Sequence, residues 1–284
     1  MKKRPFFKRI CAAALAAVML CGFAPAGFAA SGEAEQPDFS RNNAAAIYAT
    51  GEAAFAKSDC AFSAKWIWSP SDDGSLNRWM AFRKDVTLTA SDLEGEITAN
   101  IAADTKYWLW INGEMAVFEG GLKRGAALLK KDIYPQGSDE QPDLDEMITE
   151  VASYYDEVVL TPYLREGVNS IVALVWYYGN EGHSHVGSGQ GAFLFESQMG
   201  DELIISDSSW KVSRHMGYQP SSRVNVHAQE FHIIYDARAG FDGFNLPEFD
   251  VSGWENAAEL GEAGDKPWNE LWLRPIPEWK VWDR

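Results

Sequence analysis

The stretch from Ala103 to Gly125, ADTKYWLWINGEMAVFEGGLKRG, constrains the fold more than any other part of the chain. Tyr107 to Ile111 is a short apolar run dense in aromatics, which favours a strand over a helix of useful length. Asn112-Gly113 follows at once, and Met115 to Phe118 is apolar again. Asn-Gly between two such runs predicts a hairpin, because a type I′ turn needs positive φ at both central residues. Along the first strand Tyr107, Leu109 and Ile111 share one face, while Trp108 and Trp110 share the other. With the first set on the core, two neighbouring tryptophans stand on the outer face and call for a cover, either a second sheet or a ligand.

The rest of the chain repeats the β signal. Ala64 to Trp68 alternates and runs into the turn cluster Ser69-Pro-Ser-Asp-Asp-Gly74. Trp79 to Leu88 reads as a strand with Met80, Phe82, Val86 and Leu88 on one side, and Glu96 to Ala102 as another. Asn169 to Tyr178 is apolar on both faces, as expected of a central strand. Val158 to Leu160, Ala192 to Glu196, Leu203 to Ser206, Ser209 to Ser213 and Phe231 to Tyr235 are further short strands. Thr161-Pro162 is expected to cap and open a single helical turn that Gly167 ends. The Trp- and Pro-rich tail from Gly253 is expected to pack over the body. Short strands separated by turn signals predict an all-β sandwich or barrel.

Asp132 to Glu157 differs in kind, with nine acidic residues and no basic one. Residues 131–157 read as a solvated acidic insertion, with a short amphipathic helix through Met147, Ile148, Val151 and Tyr154. The Asp-x-Asp-x-Asp-Gly spacing of a calcium loop is missing. His183-Ser-His185 lies in a glycine-rich loop without a third ligand nearby, so no metal is expected. The sequence has no Gly-x-Ser-x-Gly elbow, no Gly-Lys-Thr phosphate cradle and no Gly-x-Gly-x-x-Gly opening a helix, so no cofactor is expected.

The start of the chain is not fold. Lys2, Lys3, Arg4, Lys8 and Arg9 precede an apolar segment from Ile10 to about Ala24, and small residues follow to Ala30. Residues 1–30 therefore read as a secretory signal peptide and 31–60 as a linker. Pro25 and Gly27 interrupt the apolar run before it reaches a bilayer-spanning length. The leader carries five of the 25 basic residues and none of the 41 acidic ones, so the remainder is more acidic than the whole-chain net charge of −16. Such an excess disfavours nucleic acid and, after cleavage, anionic membranes as partners, and leaves neutral sugars compatible. Cys60 is the one cysteine outside the leader, so the fold cannot rest on an intrachain disulfide.

Sugar binding has a positive case. Sugar rings stack their C–H faces on aromatic planes, and their hydroxyls need a few fixed donors and acceptors. Twelve tryptophans and ten tyrosines suit that need. Trp108 and Trp110 are the candidate platform, with Asn112, Lys123, Arg124, His183 and His185 as polar groups at loop ends. Packing is the competing reading for the two tryptophans. Chance pairs among so many carboxylates, such as Glu114 with Glu119, make no case for catalysis.

WIW at Trp66 to Trp68, FRK at Phe82 to Lys84, ADTKYWLWINGE at Ala103 to Glu114 and FEGGLKRG at Phe118 to Gly125 form an ordered set. YYDEVVLTPYLREGVNSI at Tyr154 to Ile171, SDSSWKV at Ser206 to Val212, YDAR at Tyr235 to Arg238 and RPIP at Arg274 to Pro277 continue it. In this order the motifs resemble the N-terminal, non-catalytic β-sandwich region of secreted bacterial α-L-rhamnosidases. The resemblance implies a jelly-roll-like (galactose-binding-like) antiparallel β-sandwich with long loop insertions over residues 61–284. It implies a carbohydrate partner, a plant or microbial glycan, with rhamnose-containing glycans among the candidates. In that family the glycosidic bond is cut in an (α/α) barrel beyond these modules, so no catalytic residue is expected here. Three readings follow: a secreted carbohydrate-recognition or accessory module, an N-terminal fragment of a glycoside hydrolase, and a secreted adhesion or scaffold domain. Intact-mass analysis of secreted protein is expected to show cleavage between about Ala26 and Ala30, and a product retaining Lys2 to Arg9 would contradict the leader.

Overall fold

The computed structural model describes residues 61–121, 153–179, 187–224, 230–274 and 279. The leader, the linker, most of the acidic insertion, Lys123, Arg124, His183 and His185 lie outside them. Thirteen strands follow in chain order: β1 (Lys65–Trp68), β2 (Arg78–Leu88), β3 (Thr98–Asp104), β4 (Lys106–Ile111), β5 (Glu114–Gly120), β6 (Ser153–Val159) and β7 (Gly167–Tyr177). Then come β8 (Ala192–Met199), β9 (Glu202–Ile205), β10 (Lys211–Arg214), β11 (Glu255–Asn256), β12 (Ala258–Glu262) and β13 (Leu271–Leu273). One sheet runs β12-β1-β8-β3-β6-β13 with β9 also on β8, and the other runs β11-β10-β2-β7-β4-β5. All pairings are antiparallel except β13 on β6. The fold is the expected all-β sandwich.

Alternation along the strands decides the core. Met80, Phe82, Val86 and Leu88 of β2 point inward together with Tyr107, Leu109 and Ile111 of β4. They meet Ile67, Ile101, Phe193 and Phe195 from the other sheet. Phe82 stacks on Phe193 across the interface at 5.2 Å, and Trp210 closes on Phe193 at 5.6 Å and Phe195 at 5.4 Å. β7 is buried on both faces, because β2 and β4 flank it and each face has its own apolar cover.

The hairpin forms as its turn chemistry dictates, with φ of 54° at Asn112 and 86° at Gly113. The Asn112 amide donates to the Tyr163 carbonyl (2.9 Å) and the Asn169 side-chain oxygen (2.8 Å), and accepts from the Ser170 N–H (3.1 Å). These bonds tie the turn to β7 and to the 3₁₀ turn Thr161–Tyr163.

Four expectations are corrected. The capping residue of that turn is Leu160, while the Thr161 hydroxyl accepts from the Ile97 N–H at 2.7 Å. Tyr154 and Tyr155 lie in β6 rather than in a helix, since β3 and β13 supply hydrogen-bond partners on both sides. The strand therefore starts at Ser153, inside the stretch read as an insertion. Phe231 to Tyr235 makes only isolated bridges, Tyr218 to Tyr235 and Arg223 to Phe231. The tail contributes β11, β12 and β13 to the sheets instead of merely lying over them.

A buried carboxylate joins the two sheets. Asp156 on β6 accepts from the Tyr107 hydroxyl of β4 (2.7 Å), the Gly121 N–H beyond β5 (2.8 Å) and the Arg274 guanidinium after β13 (2.9 Å). The side chains of Asp156 and Arg274 are 2% and 5% exposed. Removing one partner of a buried pair strands the other charge in a low-dielectric interior. Asp156→Ala is thus expected to lower the unfolding free energy by about 3–5 kcal/mol in denaturant melts. A change below about 1 kcal/mol, the scale of an exposed pair, would contradict this role.

Candidate functional site

The tryptophan face of the hairpin strand is covered, and by the chain itself. On the outer side of β2, β7 and β4, Trp79 stacks on Trp176 at 4.3 Å, on Tyr218 at 3.8 Å and on Trp108 at 5.4 Å. Trp110 meets the edge of Phe244 at 5.6 Å. Phe231, Phe241, Phe244, Phe249 and Trp254 complete the layer, so residues 215–224 and 230–254 form a cap. Arg83, almost fully buried on β2, fastens it by donating to the carbonyls of Leu246, Pro247 and Phe249 while pairing with Asp85 at 2.8 Å. The expected cover is therefore neither a second sheet nor a ligand. Trp108 and Trp110 are half-buried packing residues, and the hydrogen bonds of the Asn112 amide are directed to the fold. The opposite outer face is covered too, where Trp66 stacks on Trp268 at 4.9 Å.

A concave surface remains where β1 and β7 end. A cleft of about 370 Å³ lies beside Trp68 and Tyr177, bounded by the turn after β1, by residues 189–191 and by β12. The two rings meet edge to face at 6.2 Å and form an apolar wall. Trp68 Nε1 donates to Asp72 at 2.9 Å, and Asp72 also accepts from Arg78 Nε at 3.2 Å. Ser69 donates to Glu255 at 3.2 Å. Gly191 runs its backbone against the Trp68 ring, where a Cβ would overlap the indole. Gln190 stands exposed at the rim.

Tyr177 is the chemically distinctive group. Its pKa is pushed up to about 12, first by burial and then by the carboxylates of Asp104 and Asp72. Its hydroxyl is therefore protonated throughout the physiological range. Tyr177 stands on the cleft lining beside Trp68. None of the expected site residues lines this cleft among the described residues, and Trp68 and Tyr177 read in the sequence as ordinary strand residues. The one local signal was the turn cluster Ser69 to Gly74 next to an aromatic strand end.

A second groove, also about 370 Å³, lies on β3 and β8 among Glu94, Glu96, Thr98, Asn100, Glu196 and Gln198. It has no aromatic ring, and Glu196 is engaged by the backbone N–H groups of Ser63 (2.6 Å) and Ala64 (2.8 Å). Glu119, weighed as half of a carboxylate pair, bonds Lys106 at 3.4 Å. Among the described residues no three His, Cys, Asp or Glu side chains converge as a metal site would require.

No protein-family model matches this chain, and no curated protein matches it in sequence. Solved structures do. A family 78 glycoside hydrolase, the rhamnosidase of Bacillus sp. GL1, superimposes with a TM-score of 0.62 and 28% identity, over 77% of this chain and 20% of that one. The α-L-rhamnosidase from Dictyoglumus thermophilum gives a TM-score of 0.49 and 22% identity, over 74% of this chain and 22% of its own. The lectin of Pleurotus ostreatus gives 0.43 and 21%, over 76% and 46%. At TM-scores below 0.5 the latter two carry no argument. The chain spans about a fifth of the length of the rhamnosidases it matches. It is a two-sheet β-sandwich similar to one portion of a family 78 rhamnosidase.

Proposed function

We propose that this chain is a secreted carbohydrate-recognition module, an accessory β-sandwich that holds a neutral glycan and does not itself cleave it. The observation that carries this reading is the cleft at the strand ends, where an aromatic wall of Trp68 and Tyr177 stands beside Ser69, Asp72 and Gln190. That combination suits a sugar, whose apolar C–H edges need a ring and whose hydroxyls need a few fixed polar groups. The similarity to part of a rhamnosidase supports a place beside a glycoside hydrolase domain. The basic, apolar leader supports export to where such glycans occur.

A specific observation favours a second reading, in which the sandwich is a structural module packed on a further domain. Met216, Ile233 and Ile234 of the cap are apolar yet 49%, 59% and 52% exposed, and packing on a protein surface would bury them.

A glycan array probed with the purified chain separates the two. The recognition reading expects binding to neutral glycans that resists moderate salt, with no turnover of aryl rhamnosides. An array without signal, or hydrolysis that survives repurification, would overturn it.

A further inference from the structure

The shape and charge of the strand-end cleft restrict what it can hold. Its volume of about 370 Å³ lies near the lower end of small-molecule pockets, which run from roughly 300 to 1,000 Å³. That is room for one sugar ring, not for a run of linked ones. Its inner end is closed, since Trp68 and Tyr177 are 4% and 2% exposed and belong to the core between the sheets. A polymer threading through would need an open path at both ends.

Charge sets the second limit. Asp72 lines the cleft, and after burial it is the Asp104 and Asp72 carboxylates that oppose ionisation of Tyr177. Glu255 adds a further carboxylate through its bond to Ser69. Arg78 balances Asp72 in part, at 3.2 Å, and also pairs with Asp73 at 2.5 Å. A carboxylate on a ligand would meet the same field that opposes a phenolate. An uncharged hydroxyl meets no such opposition, and Tyr177 and Gln190, both on the cleft lining, carry groups that can donate or accept.

We propose that this cleft is an end-binding site for a single uncharged sugar residue, reached by the terminus of a glycan and closed to uronic acids and other anionic sugars. The proposal rests on the carbohydrate-recognition reading and adds the site, its polar contacts and its charge class.

The test is calorimetric titration of the purified chain with a panel of neutral methyl hexosides, their hexuronic counterparts, and neutral oligosaccharides of increasing length. Binding is expected for at least one neutral glycoside, with its hexuronic partner at least about tenfold weaker. Affinity per chain end should not change with oligosaccharide length. Tyr177→Phe keeps the ring and removes the hydroxyl, and should weaken binding about three- to tenfold with a melting temperature close to the parent's. Gln190→Ala, at an exposed rim position, should act in the same direction. Affinity that grows with chain length, equal binding of the uronate, or an unchanged Tyr177→Phe variant would overturn the end-site proposal while leaving carbohydrate recognition standing. Failure of every glycan to bind would overturn both.

Discussion

The buried carboxylate of Asp156 is the interaction on which the rest of the sandwich depends. It sits on β6 of one sheet and holds Tyr107 of the other, the backbone just past the hairpin, and Arg274 beyond β13. No cysteine occurs among the described residues, so no disulfide among them shares this task. The arrangement explains a local peculiarity of the sequence. At Gly120 a Cβ would overlap the Tyr107 ring, so the phenol can reach Asp156 only across a glycine. The next residue, Gly121, then offers its N–H to the same carboxylate. A hairpin, a parallel edge strand and the C-terminal segment are thereby fixed to one point.

That frame decides where a ligand can go. Tryptophans are plentiful, yet on both outer faces they are committed to packing, Trp79, Trp108 and Trp176 beneath the cap and Trp66 against Trp268. Burying large rings on a sheet face stabilises the fold, but it removes those rings from contact with a sugar. The strand ends are free of this constraint. There the turn after β1, residues 189–191 and β12 stand around Trp68 and Tyr177 without filling the space between them. Loops at the end of a rigid sandwich are where binding surfaces commonly arise, because the strands position them while the loops vary.

Much of the fold was legible because its signals are local. The positive φ values at Asn112 and Gly113, the inward set Tyr107, Leu109 and Ile111, and the doubly buried β7 all follow from turn chemistry and period-2 patterning. The errors fall where tertiary pairing overrode local pattern. Val151 and Tyr154 carry helical spacing, whereas β3 and β13 hold the backbone extended from Ser153. The cap residues leave no local signal, because they follow neither helical nor strand spacing. They are held by turns, by Arg83 donating to three carbonyls and by aromatic contacts far apart in sequence. The cleft was illegible for the same reason, since residues 68–74, 177, 189–191 and 258–260 meet only in the folded chain.

The central claim is that the tryptophan face is structural and that the strand-end cleft receives the sugar. Hydrogen exchange with and without saturating neutral oligosaccharide tests it most directly, because protection reports where backbone is shielded without any substitution. The account predicts added protection at residues 69–74, 177–179 and 188–191, with no change across 106–118 and 231–250. Protection centred on Trp108, Trp110 and the cap, with the strand-end segments unaltered, would contradict it.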